Sequence, residues 1–465
     1  MTLLSATSAA NRFGLGARPG ELQRIDPDPR GWLLAQLGPA PAPAALAGLP
    51  SSADYLGQYR RLQQMRRQAR QGGGGDAKAA QMQAGQLLRQ GLQRELLLRQ
   101  QVAATADDGF RERLVRFWSN HFAISVDKRV AALFAAPMER EAIRPHANGR
   151  FADLLLAVER HPGMLLYLDN AQSVGADSRA AQQAERRRQR TGQGVRRGLN
   201  ENLAREILEL HTLGVDAGYT QQDVTEFARA ITGWSVDPNA GGSDAFLFRP
   251  AAHEPGARRV FGSTYRQDGE AQGVAILHAL ARHPATARHV STKLARHFVG
   301  DDPPPALVQR MARAWVDSEG DLPSVYRVLL DDPAAWQPGA RKFKNPDDFC
   351  LSALRACGLG ADSDLALGLR LQAQLGQPVF QPRSPAGFGD VAADWGGPDA
   401  LFKRVQAAQA LANRLPDTGA TPLVLGQAAL GEALDAQTAT ALRRAESIQQ
   451  GVALLLASPA FQWRT

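Results

Sequence analysis

The chain is poor in cysteine, in aromatic residues and in long apolar runs. Its two cysteines, Cys350 and Cys357, stand in a stretch that reads as one helix. At about 1.5 Å of rise per residue their Cα atoms lie roughly 10 Å apart, too far for a disulfide. Both are expected to be buried small apolar residues. No apolar run approaches the ~20 residues that a membrane-crossing helix needs. The start, MTLLSATSAANRFGLG, lacks a charged region ahead of an apolar core, so the sequence as written reads as cytoplasmic. HExxH, paired CxxC and GxSxG are absent, which removes zinc-protease, zinc-ribbon and nucleophile-elbow chemistry. Gly14 and Gly16 form a GxG, but no strand precedes and no third glycine follows, so it is no dinucleotide fingerprint.

What is present is helical. Hydrophobic content of 44% with 22% charge is ordinary for a globular protein, and Ala, Leu, Gln and Arg dominate while Val/Ile/Thr runs are scarce. The expected architecture is mainly α: one large multi-helix unit over 1–465, with a small β-hairpin insertion near 245–262. Its strands would be AFLFR at 245–249 and RRVFG at 258–262.

Net charge is +8 and unevenly spread. Arg60, Arg61, Arg66, Arg67 and Arg70 precede a glycine tract at 72–75. Arg186, Arg187, Arg188, Arg190, Arg196 and Arg197 form a second cluster. The regions 60–90 and 171–198 read as basic low-complexity insertions, expected to be mobile. No aromatics interleave with the arginines, which disfavours nucleic-acid binding against a merely solvated surface.

The most informative stretch runs from Asn200 to Trp234. Asn200 caps a first helix that ends near Leu213, with Gly214 at the left-handed position beyond it. Thr220 and Asp223 form the capping box of a second. On a helical wheel Asn202, Arg205, Glu206 and Glu209 share one stripe, while Ala204, Ile207, Leu208 and His211 share the opposite one. An amide, a guanidinium and two carboxylates on one face suit general acid–base work. A divalent metal would need Glu206 and Glu209 joined by His121 or His253, and Arg205 beside them would repel it. His121 lies on the apolar side of the 110–122 helix, as a core histidine would. His253 and Glu254 stand on the loop between the two expected strands, free of packing duty.

Downstream, a helix from about Pro284 to Val299 places His289, Lys293 and Arg296 on one stripe, with His297 at its edge. That stripe suits either an anion-binding face or buried ion pairs. The Gly/Pro-rich segment 376–399 carries Phe380, Phe388 and Trp395, and a loop of that size reads as a lid or pocket wall.

These segments together resemble a bacterial family called domain of unknown function 1800. The pieces that carry the resemblance are NRFGLG, FWSNHF, LDNAQS, the long NENLAREILELHTLGVDAGYTQQDVTEFARAITGW, the HEPG loop, HPATARHVSTKLARHFVGDDPP, KNPDDF and GQPVFQPRSPAG. The chain departs from it at Glu254 and Arg258, where relatives tend to show Asp and Lys, and at Phe388 in place of Trp. The resemblance implies one helical unit and no activity. It further implies a periplasmic address, and pairing with a sulfatase-like protein of a family numbered 1501.

Two functional expectations follow. In the first, Glu206, Glu209 and His253 act catalytically on an anionic or sugar-like substrate held by Arg205, Lys293, Arg296, His297 and Asn202, as a hydrolase or transferase. In the second, those charges form a buried ion-pair network in a non-catalytic scaffold or accessory partner. Both place Arg205, Glu206 and Glu209 opposite Lys293 and Arg296 across a shared cleft.

Overall fold

The computed structural model describes residues 5–72, 74–129, 131–192, 198–237, 245–415 and 419–465. Helices dominate, and strands among the described residues are confined to three two-stranded antiparallel sheets. Two long helices, α1 (Ser52–Gly72) and α2 (Gly74–Thr105), pack on one another as an arm. Next comes α3 (Gly109–His121), which buries Phe110, Leu114, Phe117 and Trp118 on one side. The basic segment contains a helix, α4 (Arg179–Thr191), capped by the Ser178 hydroxyl. Arg186, Arg187, Arg188 and Arg190 are exposed on it. Arg196, Arg197 and the tract residue Gly73 lie outside the described residues.

The central stretch forms α5 (Asn202–Glu206), which continues as a π turn over Ile207–His211, and α6 (Gln221–Ala230). Thr220 and Asp223 make the expected reciprocal capping box. The remaining helices that matter here are α7 (Pro284–Phe298), α8 (Pro346–Ala356), α9 (Pro398–Ala412) and α10 (Ile448–Ala457). Proline at the first position suits a helix start, since its missing N–H has no partner there anyway. His283 caps α7 through its ring nitrogen, and Asn345 caps α8 by accepting from the Asp348 amide.

The two expected strands exist, but they do not pair with each other. β1 (Trp234–Val236) takes β2 (Phe246–Phe248), and β3 (Arg258–Val260) takes β4 (Ser263–Tyr265). Local turn chemistry decides this. Pro250 opens a 3₁₀ turn that ends the aromatic strand. Phe261 and Gly262, at φ 47° and 78°, then make the tight two-residue hairpin turn that suits strand twist. A last pair joins β5 (Lys342–Phe343) to β6 (Trp463–Arg464).

Two hydrophobic clusters organise the packing. One draws on residues up to Trp336, including Phe110, Trp118, Phe151, Trp315 and Tyr326. The other gathers α8, α9 and α10 around Phe349, Leu354, Leu411, Leu455 and Phe461. Cys350 and Cys357 are free and buried in the second cluster, where burial pushes both thiols up. Phe402 and Val405 stand 63% and 50% exposed beside Leu401. The face of α9 that turns inward is Arg404, Ala407, Ala408 and Leu411.

Candidate functional site

The wheel drawn for the first central helix holds. Asn202, Arg205, Glu206 and Glu209 lie on the open side, and Leu203, Ala204, Ile207, Leu208 and His211 are buried. Arg205 bridges Glu201 and Glu209, each at 3.5 Å, and donates to Gln221 at 2.8 Å. Glu209 also accepts from Tyr219. Asn202 is exposed, its backbone amide donating to the Asn200 side chain at 2.9 Å. Glu206 makes no hydrogen bond or ion pair among the described residues, and partial burial raises its carboxyl.

The far end of this helix explains the histidines. A helix C-terminus leaves carbonyls without partners, and here four of them find donors. The Thr212 hydroxyl donates to Ile207 at 2.6 Å, and the Gly214 amide to Leu208 at 3.2 Å. Leu210 accepts from His289 Nε2 at 3.3 Å, and His211 accepts from His121 Nε2 at 3.1 Å. Gly214 has φ 90°, and a Cβ there would stand 2.9 Å from the His289 ring. The His211 imidazole itself donates to Glu159 at 2.8 Å, with both side chains fully buried. His121 thus serves the core, as its place on the apolar side implied, while its Nδ1 has no partner.

The cavity that gathers chemistry opens between the two hydrophobic clusters. It has a volume of about 210 Å³ and is walled by α3, α7, the start of α8 and the 386–391 part of the aromatic loop. That loop is tied down on both sides. Asn120 and Phe388 exchange side-chain and backbone hydrogen bonds of 3.0 and 2.8 Å. Val126 donates to Phe380 at 2.8 Å, and the Ala392 amide to Asp301 at 2.7 Å. Gly387, at φ 81°, passes so close to Asn120 that a Cβ would lie 2.3 Å from its carbonyl oxygen.

Charged groups line the cavity in a definite order. Arg113 pairs with Asp348 at 2.6 Å, and Arg116 with Asp347 at 2.6 Å. His297 sits 3.2 Å from Asp390 and 3.4 Å from Arg464. Burial would raise the Asp390 carboxyl, but His297, Lys342 and Arg464 outweigh it and bring it down to about 2. Burial likewise opposes ionisation of Asp348, yet Arg113, Arg464 and His297 hold it far below the carboxylate range. Arg296 donates to the Asp301 backbone carbonyl at 3.1 Å. Lys293 has no hydrogen-bond or ion-pair partner among the described residues. Burial, helped by Arg296 and opposed by Asp390, lowers its amine to about 8.

Of the residues singled out in the sequence, Lys293, Arg296, His297 and His121 meet around this cavity. Asn202, Arg205, Glu206, Glu209 and His253 are not among its lining. No ion pair joins Arg205, Glu206 or Glu209 to Lys293 or Arg296 among the described residues. His253 is half-buried against Phe248 and donates to the Thr232 carbonyl at 3.1 Å. Its neighbour Glu254 is buried, not free on a loop, and accepts from the Asp177 amide at 2.9 Å. No three His, Cys, Asp or Glu side chains among the described residues converge to hold a metal, so Glu206 and Glu209 with His121 or His253 form no ligand set.

Another cleft, of about 420 Å³, brings Ser52 within 2.9 Å of His161 Nε2 and Glu141 within 3.4 Å of the same nitrogen. The residue types suggest a nucleophile and base, but the tautomer forbids it. His161 Nδ1 accepts from the Gly163 amide at 3.0 Å, so Nε2 carries the proton and cannot take one from Ser52. The trio caps helix ends.

Arg113, Asp347, Asp348 and Asp390 escaped the sequence reading. Asp347 and Asp348 carried a signal, two acids in a helix first turn, but the macrodipole accounts for that by itself. Asp390 gave none beyond its place in the aromatic loop.

A family model described as a protein of unknown function (DUF1800) matches residues 8–463. None of the curated proteins and none of the solved structures matches the chain.

Proposed function

The chain belongs to the DUF1800 family along nearly its whole length, a membership that supplies a fold without a reaction, and we propose that it binds and chemically transforms a small anionic substrate in the cavity between α3, α7 and the aromatic loop. The observation that carries this is Lys293, an amine on the cavity wall with no hydrogen-bond or ion-pair partner among the described residues, one turn from Arg296, which among them has a carbonyl but no carboxylate. Cations held in partly buried positions without counter-ions are disfavoured unless an anion arrives.

Lys293 and Arg296 would grip the anionic group, with His297 held by Asp390. An amine lowered to about 8 exchanges protons near neutral pH, which suits acid–base work in a hydrolase or transferase. His121, its Nε2 proton committed to the His211 carbonyl, keeps Nδ1 as a hydrogen-bond acceptor without a partner among the described residues. Glu209 and Arg205 belong with Glu201 to a surface network in this scheme, and such exposed pairs contribute little; Glu206 is not paired within it.

The test is a panel of sugar phosphates, sulfate esters and organic acids, assayed for turnover and melting shift with wild type and Lys293→Met. Turnover in the wild type, lost in a variant that melts normally, supports the proposal. No turnover and no ligand-dependent shift with any member would sink it.

A second reading keeps one observation. Leu401, Phe402 and Val405 present an exposed apolar stripe on α9, as an accessory protein for a sulfatase-like partner would need. Loss of a co-purifying partner on Phe402→Ser would favour it.

A further inference from the structure

Charge bookkeeping around the cavity narrows the ligand further. Its wall holds four cations, Arg113, Arg116, Lys293 and Arg296, against three carboxylates, Asp347, Asp348 and Asp390. Each carboxylate is already claimed. Asp347 takes Arg116, Asp348 is shared by Arg113 at 2.6 Å and Arg464 at 3.4 Å, and Asp390 takes His297 and Lys342.

Behind the wall the imbalance grows. Lys344 is 2% exposed, and its ammonium lies 3.7 Å over the Phe461 ring without a hydrogen-bond partner among the described residues. Arg404, equally buried, donates only to Gln462 and the Lys344 carbonyl. Arg464, 1% exposed, has Nε and Nη2 without hydrogen-bond partners among the described residues, Nε facing Asp348 only as an ion pair at 3.4 Å. Lys293 and Arg296 on the wall, and Lys344 and Arg404 behind it, therefore have no carboxylate at ion-pair distance among the described residues, and only the longer-range attraction of Asp390 and Asp348 reaches Lys293, Lys344 and Arg404. The protein's own charges leave a positive potential focused on a cavity of about 210 Å³.

We infer that the ligand is a phosphate monoester, whose doubly charged phosphoryl group sits between Lys293 and Arg296. This rests on the anion site proposed above and deepens it. A monoanion such as a carboxylate or sulfate ester would neutralise one of the two wall cations and leave the other stranded. A phosphate monoester carries close to two negative charges at neutral pH, its second pKa being about 6. At ~30 Å³ per water the cavity holds about seven waters, room for a phosphoryl group and a short remainder. Phe117, Phe388 and Val391 offer that remainder an apolar side.

Methyl phosphate and methyl sulfate are nearly the same shape and differ by one charge, so they separate these possibilities. Titration calorimetry of the full chain at pH 7.5 and fixed ionic strength should give methyl phosphate an affinity at least about tenfold higher, the value of one charge-assisted contact. Lys293→Met should remove that preference, and Arg296→Gln gives an independent check should the first variant not fold. Affinity for methyl phosphate should rise from pH 5 to 7 and fall above about 8 as Lys293 loses its proton; the groups facing that amine are Asp390, Arg296, His121 and His289. Equal affinity for the two esters would overturn the phosphate inference while leaving an anion site. Binding of neither would overturn the anion site itself.

Discussion

His121 donates its Nε2 proton to the backbone carbonyl of His211 across 3.1 Å. One imidazole thereby closes the C-terminus of the central helix while its other nitrogen remains free at the cavity side of α3. Burial, with Lys293 and the other two histidines nearby, lowers its pKa well below that of a free imidazole, so it stays neutral across the physiological range. His121→Phe strands a buried carbonyl, which should destabilise the protein by about 1–3 kcal/mol. Urea unfolding of the two proteins, compared at pH 7, measures this; an unchanged midpoint would mean that the cap contributes nothing.

Lys293 makes stability depend on pH in a stated direction. Its amine releases a proton near pH 8 in the folded protein and near 10.5 when unfolded. Between those values the unfolded chain binds more protons, so this residue's contribution to stability rises with pH. Below pH 8 both states are charged and the desolvation penalty is fully present. Lys293→Met should flatten the rise between pH 8 and 10.5 in thermal melts, and parallel curves for the two proteins would contradict it.

Asp348 is the counter-ion of two buried arginines at once. Asp348→Asn leaves both uncompensated and should cost about 3–5 kcal/mol, the usual size for breaking a buried pair. In acid the same pairing is lost without mutation. Asp348 and Asp390 are depressed in the fold, so their stabilisation is whole above the ordinary carboxylate pKa and disappears as pH falls toward 2. A melting temperature that stays flat from pH 4 to pH 2 would refute this.

Gly387 cannot carry a side chain where it lies. Gly387→Ala should push the aromatic loop off Asn120, at a cost of about 1–3 kcal/mol in local strain. Trypsin should then cut at exposed Arg383 faster than in wild type, with the rate of cleavage at the exposed arginines of α4 unchanged.

Glu206→Gln separates the acidic stripe from the cavity. Burial raises this carboxyl and the opposing pull of His211 and Arg205 does not undo it, so the neutral amide should melt at the same temperature or slightly higher. Oxyanion binding should stay within about twofold, since Glu206 does not line the cavity and a charge that touches no ligand contributes little. A loss of binding would return Glu206 to the site.

What the sequence made legible was local. Thr220 with Asp223 announces a helix start because the donor and acceptor are three residues apart. The α5 stripe was readable because a helix fixes side-chain direction by spacing alone. The aromatic loop was recognisable as a wall from its Gly and Pro content against its three large rings. Pairings across the chain were not. Phe246–Phe248 chose Trp234–Val236 because of a turn at 250, and Lys293 came to face Arg113, Asp348 and Asp390 through packing of distant helices. A first-turn Asp looks the same in sequence whether it serves a dipole or a buried arginine.

The pairing of β5 with β6 also has a consequence in time. Arg464, which backs the cavity and holds His297 and Asp348, lies on the later of these strands. On the ribosome the α3 and α7 walls emerge long before it, and domains generally fold as they appear. Until Trp463–Arg464 docks on Lys342–Phe343, Asp348 lacks its second arginine and His297 lacks its outer partner. The site is therefore completed later than its α3 and α7 walls, only once the Trp463–Arg464 strand has docked.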